Sequence, residues 1–251
     1  MTDHISKSGV RIAADFRDNL IIDRYDPVFA SMRMSKRKHL RSANSEDAVT
    51  WNVFRSLRQI DPTVWLPDLF SSAFPGAQLT HTEHATVELW KSVEPPPALR
   101  LSADEGDSEI DVVVETPSAV WFIEAKLTSD ISTGTTTRVT RDQVLRNIDV
   151  GSYYAGTRHF YFSLLIANAD RSKEGVRVVE EYKNLDVPRG LLKDHRPDGL
   201  HNLRGVSRLT WGNLAEVLDD ASQDATLEAE KQFASRALSW MRERGLSMKG
   251  N

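Results

Sequence analysis

Two apolar runs dominate the hydrophobic pattern of this 251-residue chain: Ile110 to Val114, and Val120 to Ala125. Each carries acids within or beside it, as Glu109-Ile110-Asp111-Val112-Val113-Val114-Glu115 and Val120-Trp121-Phe122-Ile123-Glu124-Ala125-Lys126. The connector Thr116-Pro117-Ser118-Ala119 reads as a tight turn, so the pair predicts a β-hairpin. Ala85 to Val93 alternates Val87 and Leu89 with polar neighbours, which predicts a strand ended by Pro95-Pro96-Pro97. Leu99 to Ser102 is expected to continue into the sheet. His159 to Ala167 reads as a buried strand, and Val206 to Trp211 as a strand feeding a helix at Asn213 to Leu218.

Helical spacing appears at Val49, Val53, Leu57 and Ile60, with Asn44 or Ser45 as the N-cap and acids in the first turn. Thr140 to Gly151 reads as the helix after the hairpin. Lys173 to Asn184 reads as another helix. Ala225 to Arg244 reads as a long amphipathic one, with Leu227, Phe233, Ala237, Leu238 and Met241 on its apolar side. Leu66 to Phe74 is a Pro-bounded apolar segment. Asp130 to Thr140, rich in Thr, Ser and Gly, reads as a flexible loop. Before residue 44, Ile21, Ile22, Tyr25 and Phe29 are available to pack on a core. The expectation is an α/β fold, a mixed central β-sheet flanked by helices, with N- and C-terminal extensions.

Composition narrows the chemistry. The chain has no cysteine, which excludes disulfides and thiolate metal sites and fits a reducing compartment. No apolar run reaches membrane-spanning length, and Met1-Thr2-Asp3-His4 lacks a signal-peptide apolar region, so the expectation is cytoplasmic with no membrane partner. His81 and His84 are close but lack a clear third or fourth ligand. A Walker-type loop, a Gly-x-Ser-x-Gly elbow and a His-Glu-x-x-His pair are all missing.

What remains is a carboxylate chemistry. Side chains alternate faces along a strand, so Glu124 and Lys126 point the same way. A hairpin that brings Asp111 beside them gathers two carboxylates and one ammonium. Carboxylate oxygens suit Mg²⁺, and a lysine beside them can hold or activate a water. Glu46 lies three residues before Val49 and continues the apolar face of its helix. Gln143 and Asn147 lie one turn apart on theirs.

This arrangement resembles the PD-(D/E)xK nuclease superfamily, the restriction-endonuclease-like fold. The match runs through Asp111, then Glu124-x-Lys126, with Ile110 where the superfamily has Pro. Glu46 on the preceding helix and Gln143 on the following one extend it, and it covers roughly residues 44 to 167. The resemblance implies a division into an N-terminal extension with a basic segment (1–43), a nuclease-like domain (44–220) and a C-terminal helix (221–251). It implies an Mg²⁺-dependent endonuclease acting on DNA, with Mn²⁺ able to substitute. Asp111, Glu124 and Glu46 would be the metal ligands, with Lys126 and Gln143 completing the catalytic set. Restriction or anti-phage defence, as a homodimer or within a larger complex, would suit such a protein. The alternatives are an inactive member that binds nucleic acid or serves as a structural subunit, and cleavage of RNA by the same chemistry.

The net charge of −4 does not itself suggest a nucleic-acid partner, so local charge matters more. Arg33, Lys36, Arg37, Lys38, His39 and Arg41 form a basic cluster before the Glu46 helix, and Arg37, Lys38 and Arg41 are candidate phosphate contacts. Arg146 is another, through its guanidinium fork. Arg189, Lys193, His195, Arg196, His201 and Arg204 form a candidate substrate-contact loop. For Glu46, Gln143 and the basic residues the alternative is ordinary: a helix-dipole acid, a polar helix face and a solvated basic loop.

Overall fold

The computed structural model describes residues 2–99, 105–134 and 141–246. A short hairpin, β1 (His4–Ile5) with β2 (Arg11–Ile12), precedes two small helices, α1 (Val28–Ser31) and α2 (Met34–Leu40). Next come α3 (Glu46–Leu57) and α4 (Pro62–Ala73), then three strands, β3 (Thr86–Val93), β4 (Ser108–Glu115) and β5 (Ala119–Lys126). They are followed by α5 (Gln143–Ala155), β6 (His159–Ile166), α6 (Lys173–Tyr182), α7 (Asp186–Leu192) and β7 (Leu203–Thr210). The chain closes with α8 (Trp211–Asp224) and α9 (Glu228–Arg242).

The five strands β3 to β7 form one mixed sheet in sequence order. The β3–β4 and β4–β5 pairs are antiparallel, and β5–β6 and β6–β7 are parallel. The chain therefore has the expected mixed α/β fold. Every residue of β5 is buried, because both faces of this central strand are covered. On one face Val112, Val114, Trp121, Ile123 and Leu165 pack with side chains of α3, α4, α8 and α9. On the other, Val113, Val120, Phe122, Phe160 and Phe162 pack with those of α5 and α6.

The β4–β5 turn closes as its sequence predicts. Thr116 donates its N–H to the Ala119 carbonyl at 2.9 Å, and its hydroxyl accepts from the Ala119 N–H at 3.1 Å. Leu66 to Ala73 belongs to α4, with Phe74 as its C-cap; Pro62 occupies the first turn and Pro67 lies inside the helix. Leu99 is buried in a helical turn, donating to the Pro96 carbonyl at 2.9 Å, and does not extend the sheet; residues 100–102 lie outside the described residues. Of the expected 130–140 loop, residues 130–134 carry no helix or strand, and 135–140 lie outside the described residues. Among the described residues, no helix is long and apolar enough to cross a membrane.

The segment before α3 is bound tightly to it. Asn52 accepts the Ile21 N–H at 2.9 Å and donates to the Asn19 carbonyl at 3.0 Å, while Asn19 donates to the Leu40 and Ser42 carbonyls. These long-range bonds satisfy buried backbone groups in a stretch with little ladder of its own. Phe16, Phe29, Trp51 and Trp90 pack as an aromatic cluster, with Trp51 and Trp90 stacked at 5.1 Å. Ile22 joins this cluster, but Tyr25 is 82 % exposed. At the other end, Ala237, Leu238 and Met241 of α9 are buried as expected, whereas Leu227 precedes the helix and is exposed.

Candidate active site

The hairpin register sets the geometry. Val112 lies opposite Ile123, so continuing the ladder by one step brings Asp111 across from Glu124 on the α5 face of the sheet. Asp111 accepts the Ala125 N–H at 2.9 Å. Its neighbour on β3 is irregular. Leu89 pairs with Val112 and Lys91 with Ile110, while Trp90 between them has φ of 54°. A bulky residue in the left-handed region stores about 1–3 kcal/mol of strain, and such strain clusters at functional sites.

Lys126 and Glu124 share a face, and the Lys126 ammonium donates to Glu124 Oε1 at 2.6 Å. It also lies 3.8 Å from Glu46 Oε1. Glu46 reaches this point because Ser45 caps α3, accepting the Ala48 N–H at 3.2 Å, so the first helical turn meets the end of β5. There Glu46 Oε2 accepts the Leu127 N–H at 2.8 Å and the Ser129 hydroxyl at 3.2 Å.

From the other side, α5 brings two amides to one carboxylate. Gln143 Nε2 donates to Glu124 Oε1 at 2.6 Å, and Asn147 Nδ2 to Glu124 Oε2 at 2.8 Å. The Ser132 N–H donates to Gln143 Oε1 at 3.3 Å, which turns the Gln143 amine toward Glu124. Asp142 caps the helix, accepting the Leu145 N–H at 2.8 Å, and also accepts the Tyr182 hydroxyl at 2.6 Å.

The electrostatics follow from crowding. Burial, then the Glu124 charge, pushes the Asp111 carboxyl well above the ordinary carboxylate range. Burial likewise raises Glu46. Burial works to depress Lys126, but the Glu124, Asp111 and Glu46 carboxylates outweigh it and hold the ammonium charged. Lys126 is therefore suited to orienting a water or steadying negative charge, and poorly suited to accepting a proton.

Hard oxygen donors and excess negative charge fit a divalent cation such as Mg²⁺. The three expected ligands are not, however, set around a common point. Among the described residues, no group of three or more His, Asp or Glu side chains is arranged to hold a metal ion. The reason is visible in the bonds: Glu124 is held by two amides and Lys126, Asp111 by Ala125, and Glu46 by Leu127 and Ser129. The Lys126 ammonium instead pairs with Glu124 at 2.6 Å and lies 3.8 Å from Glu46, with the Asp111 charge also acting on it.

The basic candidates lie elsewhere. Arg146, three residues after Gln143 on α5, donates to Glu105 Oε1 at 3.2 Å and to the Gly106 and Asp107 carbonyls and takes no part in the Glu124 bonds. Arg41 turns back to the Ala13 carbonyl at 2.6 Å. Arg37 has a buried, unpartnered Nε, while Lys38 is exposed. Lys36, from the same helix, pairs with Asp47 at 3.3 Å and with Glu109, over the Trp90 ring. Of the 189–204 candidates two turn inward: Arg196 donates to Asp149 at 2.9 Å, and His195 lies 2.7 Å from the same carboxylate, whereas Lys193, His201 and Arg204 are exposed. His81 and His84 are exposed and flank Glu83.

Two contributors carry no strong sequence signal. Asn147 shares a helix face with Gln143, and only the structure shows both amides on one carboxylate. Ser129, just past β5, has no periodicity to mark it. No family model matches the chain, and no curated protein matches it. Among solved structures, a crystal structure titled as a protein of unknown function, AF1548, is similar over 64 % of this chain and 89 % of that one, at 15 % identity and a TM-score of 0.22.

Proposed function

We propose that the chain is a metal-dependent nuclease that hydrolyses phosphodiester bonds of DNA. One observation carries this reading: Glu124 takes hydrogen bonds from Lys126 and both α5 amides, Glu46 reaches the same lysine, and the hairpin register sets Asp111 opposite Glu124. Asp111 and Glu124 would hold a Mg²⁺ or Mn²⁺ ion, with Glu46 beside them. When bound, such an ion polarises a phosphoryl oxygen and lowers the pKa of a water. Lys126 would orient the attacking water and steady negative charge on the phosphate during the in-line displacement. Gln143 and Asn147 fix the Glu124 carboxylate, so its lone pairs keep one direction. A role in restriction or anti-phage defence rests on analogy with other nucleases of this type.

The test is incubation of the purified chain with double-stranded DNA, single-stranded DNA and RNA, each with Mg²⁺, Mn²⁺, Ca²⁺ or chelator. The expected result is cleavage of DNA in Mg²⁺ and Mn²⁺, since both accept oxygen ligands in octahedral geometry. Ca²⁺ should permit binding without efficient turnover. Cleavage that resists chelator removes the metal site, and cleavage confined to RNA changes the substrate.

A further inference from the structure

A cleft of about 290 Å³ opens beside the carboxylate–lysine centre. Leu127 and Thr128 line it after β5, Ala167 and Asn168 after β6, and Trp211 at the start of α8. Asn44, just before the cap of α3, lines it as well, and Arg171 and Arg244 complete its polar wall. Two bonds join cleft and centre. Leu127 gives its N–H to Glu46 at 2.8 Å, and the Trp211 indole donates to the Lys126 carbonyl at 3.2 Å.

The lining holds two arginines and no Asp or Glu. That is unexpected in a chain with net charge −4, immediately beside three carboxylates. Arg171 is exposed, and its guanidinium has no ion pair or hydrogen bond among the described residues. Arg244 is anchored, with its guanidinium 3.6 Å from the Trp240 ring centroid and hydrogen bonds to the Trp240 carbonyl and Asn19 Oδ1, both at 3.3 Å. Its buried Nε has no partner. Asn168 uses Oδ1 to accept the Asp170 N–H at 2.6 Å, which leaves its amine free to donate.

A carboxylate centre alone repels a polyanion, so a strand held there needs positive charge close by. We propose that this cleft is a phosphate subsite. It holds one phosphodiester of a substrate strand, adjacent to the one at the carboxylate–lysine centre, through the Arg171 fork, the Arg244 guanidinium and the Asn168 amine. This subsite rests on the nuclease reading for the identity of its ligand, but not for its binding chemistry.

The experiment is fluorescence anisotropy with a short fluorescein-labelled single-stranded DNA, in chelator so that no cleavage occurs. Arg171→Ala is the variant, because an exposed, unpaired side chain is dispensable for folding. Affinity should fall by about tenfold, the scale of one hydrogen-bonded charge contact. The log–log salt dependence should flatten by about 0.7, the value for one phosphate contact on a single strand. Arg171→Lys should keep the salt slope while binding more weakly than wild type, since it keeps the charge and loses the fork. Unchanged affinity and slope in Arg171→Ala overturn the subsite. If Arg171→Ala weakens binding of inorganic phosphate but leaves strand affinity and slope unchanged, the cleft is a site for the free anion, and the strand subsite is overturned all the same. Arg171-dependent strand binding by a protein that cleaves nothing in Mg²⁺ or Mn²⁺ supports the subsite and sinks the nuclease reading.

Discussion

Replacing Lys126 with Met removes the cation among three carboxylates and keeps most of the side-chain volume. In the folded protein Lys126 is 8 % exposed, donates to Glu124 Oε1 at 2.6 Å and lies 3.8 Å from Glu46 Oε1. Without it Glu124 keeps the Gln143 and Asn147 amides, but no positive charge balances Asp111. Removing one partner of a buried pair costs about 3–5 kcal/mol. At roughly 2–4 °C per kcal/mol for a chain of this length, the melting midpoint should drop by about 6–20 °C at neutral pH.

The loss should depend on pH. Asp111 and Glu46 are raised by burial and are lowered by Lys126, so the variant raises both further. A carboxyl raised in the folded state contributes stability that is present below its unfolded pKa and is lost as pH rises through its folded value. Variant and wild type should therefore lie close in acid and diverge toward neutral pH. Mg²⁺ should restore more stability to the variant, where no ammonium competes; at a hundredfold excess over Kd, binding is worth about 2.7 kcal/mol. Thermal melts followed by circular dichroism, with and without Mg²⁺ across this pH range, measure both effects. Equal midpoints at neutral pH, or equal Mg²⁺ shifts in the two proteins, would refute the reasoning.

Other outcomes follow from the same contacts. Lys126→Ala should lower single-turnover cleavage by about 100-fold or more while oligonucleotide affinity changes much less, and near wild-type turnover would make the Glu-x-Lys pattern a coincidence. Burial works to raise Glu115, but hydrogen bonds from Tyr154 at 2.7 Å, Arg158 at 2.7 Å and Lys91 at 3.0 Å outweigh it and hold its carboxyl low. Its stability is present above the ordinary carboxylate range and lost as pH falls through the folded value, so the gap between wild type and Glu115→Gln in urea unfolding should narrow in acid; a constant gap contradicts this. In α5, a Cβ on Gly151 would overlap the Phe160 ring and come within 2.9 Å of Phe122. Gly151→Ala should cost about 1–3 kcal/mol by overpacking, and an unchanged denaturation midpoint would show that the helix shifts freely.

The hairpin was legible because its signals are local. A period of two places Glu124 and Lys126 on one face, and a four-residue turn sets Asp111 against them. The Gln143 helix announced itself in the same way. The rest depended on partners far apart in sequence. Nothing local tells that Arg146 will meet Glu105, or that His195 and Arg196 will converge on a fully buried Asp149. Read alone, such residues look like solvent- or phosphate-facing charge. The Asn19–Asn52 bonds that fasten residues before α3 have no period at all. The Pro-bounded segment Leu66 to Phe74 was not legible as a helix, because proline disfavours helix interiors and Pro67 lies within it, yet burial of Trp65, Leu66, Leu69 and Phe70 carries α4 through that proline. The excess of donors on the carboxylates, which separates a lysine-centred cluster from a ready metal cage, is a matter of side-chain torsions that no sequence pattern encodes.

The most direct test compares plasmid nicking in Mg²⁺ by the wild-type chain, Asp111→Ala and Glu124→Ala, with each protein's folded state verified by circular dichroism. Each substitution removes a hard oxygen ligand from the proposed site. The expected result is nicking by the wild type that chelator stops, and none by either folded variant. Full nicking by either variant, or a wild type inert toward DNA in both Mg²⁺ and Mn²⁺, would contradict a DNA nuclease centre at Asp111, Glu124 and Lys126.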